Sequence, residues 1–350
     1  MVVHSDSQIK YLPFLFESLQ KQTFQDYEMI FVDNSNGSQV VKEVEMHAEK
    51  LGRPYKILKS EGNVGFSVAQ NMAYKNSHSP YFLLLNPDMY LLPEALGSMV
   101  EFLDEQSETS NVSIRLMRWD FEKIQTAAKE GFTEQIDCIG IRLFRSRRAV
   151  EWLTREIWSN ESESTDVRKL FAKPAIEVFG ASGAFVAYRR SCIKSVLLPG
   201  DNLFDPTYHS YKEDLDLAYR LRNAGFTSYV ILNAVAYHDR TGAGPRQMTD
   251  LAAIKNKKNQ SYYVSFHSYK NHLRTLYKNE YWQNFLMDSP YILWYELKKL
   301  VFLLLTKPSI IFKGWMEIFK HISYTRAARK GILANRKTYW KGIRRWFLFE

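Results

Sequence analysis

The sequence predicts an α/β protein with a mainly parallel central sheet flanked by helices, followed by a helical, basic and aromatic C-terminal extension. Three observations carry this. Apolar runs such as YFLLLNPD are continuous rather than alternating, as in strands buried on both faces. These runs alternate with stretches of helical periodicity, which favours a parallel sheet. The charge is also divided: residues 246–350 hold 20 Lys and Arg against 6 Asp and Glu, whereas residues 1–245 hold 27 against 32.

The elements follow in order. MVVHS is a strand stub, succeeded by a helix through Leu15 and Leu19 and a turn at Thr23. YEMIFVDNS is a β-rich run ending in turn residues. A helix near Val40 to Leu51, the strand YKILKS, the loop EGNVGFS and a helix over about 68–76 lead to YFLLLNPD. Residues 105–175 are polar and mixed in sign, with a basic patch at Arg142, Arg145, Arg147 and Arg148. They read as an excursion covering the sheet or as a flexible loop. IEVFGASGAFVAYRR is a small-residue turn and a strand, in which Gly180 and Gly183 permit close approach of backbone to a ligand. SYVILNAVAYHD is a strand ending in His238.

Polar clusters close the early strands: His4-Ser5-Asp6, Asp33-Asn34-Ser35-Asn36, Asn63 to Gly65, and Asn86-Pro87-Asp88. Each alone is ordinary turn chemistry. Four on one edge point to a site, because ligands of open α/β sheets bind outside the carboxyl ends of the strands.

With 350 residues, 45% hydrophobic and 24% charged, the chain is an ordinary globular protein, read as an α/β domain over 1–245 and a helical region over 246–350. Two cysteines, Cys138 and Cys192, make neither a disulfide framework nor a metal cluster. No secretory signal opens the chain, and the apolar run 300–305 is too short to span a bilayer. The expected location is the cytoplasm, peripheral at the inner face of the cell membrane.

The segment YKEDLDLAYRLRNAGF crowds Glu213, Asp214 and Asp216 onto a helix N-terminus. The dipole there favours acids, Leu217, Leu221 and Ala224 form a core-facing stripe, and Gly225 ends the helix. Asp216 is explained in this way, with Arg220 at i,i+4. The adjacent Glu213-Asp214 pair repels itself and is not.

Six blocks in order, from FLFESLQKQTFQDYEMIFVDNSNGS through GNVGFSVAQN, LLLNPDMYL, GASGAFVAYRRS and LFDPTYHSYKEDLDLAYRLRNAGF to AVAYHDR, resemble the inverting glycosyltransferases of family 2, bacterial rhamnosyltransferase-type members most of all. The resemblance covers Met1 to about Arg240 and implies the nucleotide-sugar-binding GT-A fold. It implies that Asp214 is the base and Glu213 its neighbour orienting the acceptor. Asp33, Asn63, Gly65, Phe66, Asn71 and Asn86 would line the donor nucleotide. Asp88, with His238, would hold Mg²⁺ or Mn²⁺ beside the diphosphate; Asn86 stands where the family has its first acid. This chain also starts almost inside the family's first strand, and VVHSD replaces that strand's usual ending.

The implied partners are a nucleotide-sugar donor, with an L-rhamnose-type sugar favoured, and a glycan or polyprenyl-diphosphate-linked acceptor. A hexosyl or galactofuranosyl transferase with a uridine donor is the rival enzyme. The basic aromatic tail also suits a nucleic-acid binder, and the weakened NPD a catalytically dead lipid-surface scaffold, although no nucleic acid is expected as a partner. Residues 246–350 hold five of the eight tryptophans. Trp315, Ile318, Phe319 and Ile322 share one helical face, and Tyr339, Trp340, Ile343, Trp346 and Phe347 another, interleaved with basic residues. Such faces either lie on an anionic membrane surface or pack on the catalytic domain.

Overall fold

The structure is a computed structural model describing residues 1–35, 37–240 and 260–349. The expected domain boundary at 245/246 and Asn36 lie outside the described residues.

Strands β1 (Val2–Val3), β2 (Met29–Asp33) and β3 (Tyr55–Lys59) form a parallel sheet in that order. β1 is indeed a stub, pairing only Val2 with Val32 and Val3 with Asp33. Next come β4 (Tyr81–Leu85), β5 (Met89–Leu91), β6 (Thr109–Trp119) and β7 (Phe132–Cys138). A hairpin of β8 (Ile141–Phe144) and β9 (Ala149–Glu151) stands apart, before β10 (Ala175–Glu177), β11 (Phe185–Arg189) and β12 (Thr227–His238). The large sheet runs β10-β12-β6-β11-β4, with β5 on β12 and β7 on β6. Within it only β6 and β12 are parallel, so the central sheet is mixed rather than mainly parallel.

The difference arises at β6. It lies in the stretch read as an excursion or loop, yet it runs through the middle of the sheet. Asn111 and Ser113 are buried with their donor groups partnered: Asn111 Nδ2 donates to Ser228 Oγ at 2.8 Å and Ser113 Oγ to the Phe185 carbonyl at 2.7 Å. Both sheet faces are covered, as the continuous apolar runs require. Phe31 and Phe185 join Leu15 and Val44 on one side; Val32 and Val186 join Ala69 and Leu217 on the other.

Helices α1 (Leu12–Gln20), α2 (Val40–Leu51), α3 (Phe66–Asn76), α4 (Ala95–Glu105), α5 (Thr165–Leu170), α6 (Arg190–Lys194) and α7 (Glu213–Asn223) belong to this part. Leu217, Leu221 and Ala224 are buried as the pattern requires. Gly180 serves packing against α7 rather than a ligand, since a Cβ there would stand 2.3 Å from the Ala218 Cβ.

The C-terminal region consists of α8 (Tyr262–Asn279), α9 (Trp282–Thr306), α10 (Pro308–Lys320), α11 (Ile322–Ala334), α12 (Trp340–Arg344) and a last strand β13 (Phe347–Leu348), parallel to β8. Arg147, from the expected basic patch, is buried and paired with Glu280 at 2.5 Å and Asp288 at 2.9 Å. Ile343 and Phe347 are buried, and the Arg222 guanidinium stacks 4.5 Å over the Trp346 ring. For the final segment, therefore, the packing reading holds. Ile318 is also turned inward, so it does not share an exposed face with Trp315 and Phe319. No helix of the described residues is long and apolar enough to cross a membrane.

Candidate active site

The ends of β1, β2 and β4 open onto one cavity of about 1250 Å³, lined there by His4, Asn34, Asn86 and Asp88. All four polar clusters thus supply side chains, the loop before α3 through Asn63, with Phe66 beside it. The loop is stitched to β2: Asn34 Oδ1 accepts from Val64 N at 2.9 Å, and Asn63 Oδ1 from Gly65 N at 3.0 Å. Gly65 (φ +85°) lets the chain pass His209, whose ring would lie 2.5 Å from a Cβ.

Gly65 itself does not line the cavity, and two further expected donor-site residues stand elsewhere. Asn71 is buried with both amide atoms spent on Phe204, donating to its carbonyl at 2.9 Å and accepting from its N–H at 2.8 Å. Asp33 is buried too, its Oδ1 accepting from Ser35 N at 3.0 Å and Ser35 Oγ at 2.6 Å. Neither lines the cavity; its neighbour Asn34 does.

His238, at the end of β12, is buried with Nε2 3.4 Å from Asp88 Oδ2 and Nδ1 2.9 Å from Asp137 Oδ2. Burial opposes its charge, but Asp88 and Asp137 outweigh it and push the imidazolium up to about 10. Asp137, which the sequence reading passed over, is itself buried; Arg240 and His238 outweigh that burial and hold its carboxyl below the ordinary range. A carboxylate on Nδ1 that leaves Nε2 beside a second carboxylate is the outer-shell arrangement of a histidine metal ligand. Among the described residues no cluster of three His, Cys, Asp or Glu side chains forms a complete cage. Two protein ligands fit a hard divalent cation that takes its remaining oxygens from water and a substrate diphosphate.

The same cavity is lined by Glu213 and Asp214, in the first turn of α7. Asp214 Oδ2 accepts from the Gly183 N–H at 3.3 Å. Burial, with Asp214 alongside, pushes Glu213 up to about 8. The approach is strained: His209, Tyr211 and Lys212 all have φ near +70°, a conformation unfavourable for residues other than glycine. Asn271 of α8, fully buried, holds this loop with Nδ2 2.8–3.0 Å from the carbonyls of Tyr208, Ser210 and Tyr211.

Asp216 lies beneath, not at the cavity. Arg220 Nε (3.1 Å), Lys278 Nζ (3.0 Å) and Asn279 Nδ2 (2.8 Å) surround its carboxylate. The i,i+4 pair with Arg220 is present, inside a buried ionic cluster rather than on a solvated cap.

The family model described as glycosyl transferase family 2 matches residues 2–197, more than half of the chain. The chain belongs to glycosyl transferase family 2. An uncharacterized glycosyltransferase of Haemophilus influenzae is 26% identical over 105 residues, covering 30% of this chain and 34% of that protein. The match thus spans about a third of the curated relative's length. Among solved structures, GalNAc-T7 with UDP, GalNAc and Mn²⁺ superposes with a TM-score of 0.54 at 14% identity, over 79% of this chain and 46% of that one. A Pyrobaculum calidifontis mannosyltransferase in complex with GDP-Man and Mn²⁺ gives 0.49 at 13% identity, over 95% and 84%. This family 2 chain has the GT-A fold, an α/β mixed sheet flanked by helices, with a helical C-terminal region.

Proposed function

We propose that the protein is a metal-dependent inverting glycosyltransferase. It moves a sugar, an L-rhamnose-type deoxyhexose as the resemblance implies, from a nucleotide-sugar to a glycan carried on a lipid at the membrane surface. The observation that carries this reading is the pairing, in one cavity, of Asp88 beside His238 with the Glu213-Asp214 pair.

In this reading Asn34, Asn63 and Asn86 border the donor's nucleotide end. Asp88 and His238 would hold Mg²⁺ or Mn²⁺, which when bound offsets charge developing on a departing diphosphate. Asp214, steadied by the Gly183 N–H, takes the proton from the acceptor hydroxyl as it attacks the anomeric carbon. Glu213, whose environment favours its neutral form, orients that hydroxyl by donating to it.

The test is transfer from a panel of nucleotide-sugars, with the anomeric configuration of the product read by NMR. Asp214→Asn is expected to lower turnover by about 10²–10⁴-fold with donor binding kept. Turnover above a tenth of wild type would remove Asp214 from the role.

A further inference from the structure

Helices α9 and α10 form a hairpin that turns at Lys307-Pro308. Along α9, Trp282, Leu286, Leu293, Leu297, Val301 and Leu304 recur at helical spacing on one face, and all are exposed. On α10, Phe312, Trp315, Met316 and Phe319 do the same. Exposure reaches 80% at Leu305 and 70% at Met316, next to the turn and on the outer face. Neither stripe contains a charged residue. An apolar face this long marks an interaction site rather than ordinary surface.

Its surroundings select the occupant. The acids of the hairpin are already engaged: Asp288 with Arg147 and Arg344, Glu296 with His272 and Lys299, Glu317 with Lys320 and His321. Cations stand beside the stripes instead: exposed Lys313 of α10 has no carboxylate partner among the described residues, and exposed Arg326 and Lys330 follow on α11. Aromatic and aliphatic faces rimmed by lysine and arginine suit the headgroup boundary of an anionic bilayer. A second copy of the chain would meet the same excess of positive charge. Trp294, Leu297 and Val301 also line the cavity that holds Asp214, so the apolar face runs into the wall of the site.

We propose that the α9–α10 hairpin lies in the plane of an anionic membrane, its apolar face sunk to about 5–10 Å, and presents the cavity mouth to lipid. An amphiphilic acceptor then slides along α9 without leaving the bilayer. Only this last step rests on the transferase reading above; the membrane contact does not.

The experiment is co-sedimentation of the full chain with phosphatidylglycerol-containing and with phosphatidylcholine-only vesicles, beside size exclusion without lipid. The wild type is expected to bind the anionic vesicles, less so with added salt. The exposed-face variant Leu305→Glu/Phe312→Glu/Met316→Glu should bind at least about tenfold less, with circular dichroism and donor hydrolysis unchanged. Brominated lipid should quench the wild-type tryptophans, a readout that needs no variant. Absence of vesicle binding and quenching by the wild type would overturn the proposal, as would equal binding by the triple variant. So would a lipid-free dimer that the variant dissolves, which would assign the face to a second copy. If Asp214→Asn kept full turnover while the triple variant lost vesicles, the catalytic assignment would fail and the docking face would stand.

Discussion

Helices α8 and α9 follow one another in the chain and invert the ordinary relation between residue type and burial. On α8 the buried side chains include His267, Lys270, Asn271, His272, Arg274, Lys278 and Asn279. On α9 most of the leucines and both tryptophans face outward. Polar groups go inside when partners wait there. The loop before α7 provides them: the Asp205 carboxylate takes Lys278 Nζ at 2.8 Å and Arg274 Nη2 at 3.3 Å, and its carbonyls take Asn271. Among the described residues, α9 crosses no comparable surface over its outer half. Burial along this region is set by the chemistry of the facing segment and not by the hydrophobicity of the helix.

That contrast can be broken from either side. The largest effect is expected at Lys278→Met, which leaves Asp205 and Asp216 short of a cation in a dry site. Removing one partner of a buried ion pair costs about 3–5 kcal/mol, read as a fall in the urea midpoint; an unchanged midpoint would mean that the cluster is solvated. Lys278 and Arg274 outweigh the burial of Asp205 and hold its carboxyl far below its ordinary value of 3.8. A depressed acid contributes stability above its unfolded value that is lost as the pH falls below it. The wild type should therefore weaken steeply below about pH 4, and Asp205→Asn should flatten that slope.

Asn271→Ala comes next. It uncovers three carbonyls of the strained loop at about 1–3 kcal/mol. Because the loop aims the Glu213-Asp214 pair, kcat should fall at least about tenfold while KM for the donor changes little. Parallel loss of both would mean general unfolding.

A separate test is the pH response of Glu213. Its folded value, about 8, lies above its ordinary 4.5, so the neutral form is favoured and stability is lost as the pH rises through that window. The Tm of wild type should drop between pH 5 and pH 9 relative to Glu213→Gln; identical profiles would place Glu213 in water. The smallest effect belongs to α9–α10, where Leu305→Glu or Phe312→Glu should change stability by less than about 0.5 kcal/mol. A larger loss would show that the apolar face is already covered within the fold.

What the sequence made legible was local. Strands with both faces buried announce themselves as unbroken apolar runs, and the turns that follow them put His4, Asn34, Asn63, Asn86 and Asp88 on one rim. The acid pair stood out because adjacent carboxylates have no local explanation. What stayed hidden depends on partners distant in the chain. Asp137 acquires its role only through His238, 101 positions away, and Asn271 only through the loop some 60 positions before it. Asn71 and Asp33 show the reverse relation. Their side chains suit a nucleotide, but the Phe204 backbone engages the Asn71 amide and Ser35 engages one oxygen of Asp33. β6 was misjudged because its serines and asparagine suggest solvent, whereas the neighbouring strands supply their hydrogen bonds.

One pairing has a consequence for how the molecule is made. Phe347 and Leu348 lie along Leu143 and Phe144, and the hairpin they brace carries Val150 and Glu151 into the cavity wall. A ribosome delivers β8 long before β13, and Arg147 long before Glu280 and Asp288. While the chain emerges, the sheet of the first 240 residues can assemble, but this wall waits with a bare guanidinium and an open strand edge. The wall is thus completed only after the strands it leans on, in the order of synthesis. Nascent chains stalled before residue 340 should be the forms that chaperones hold and proteases clear.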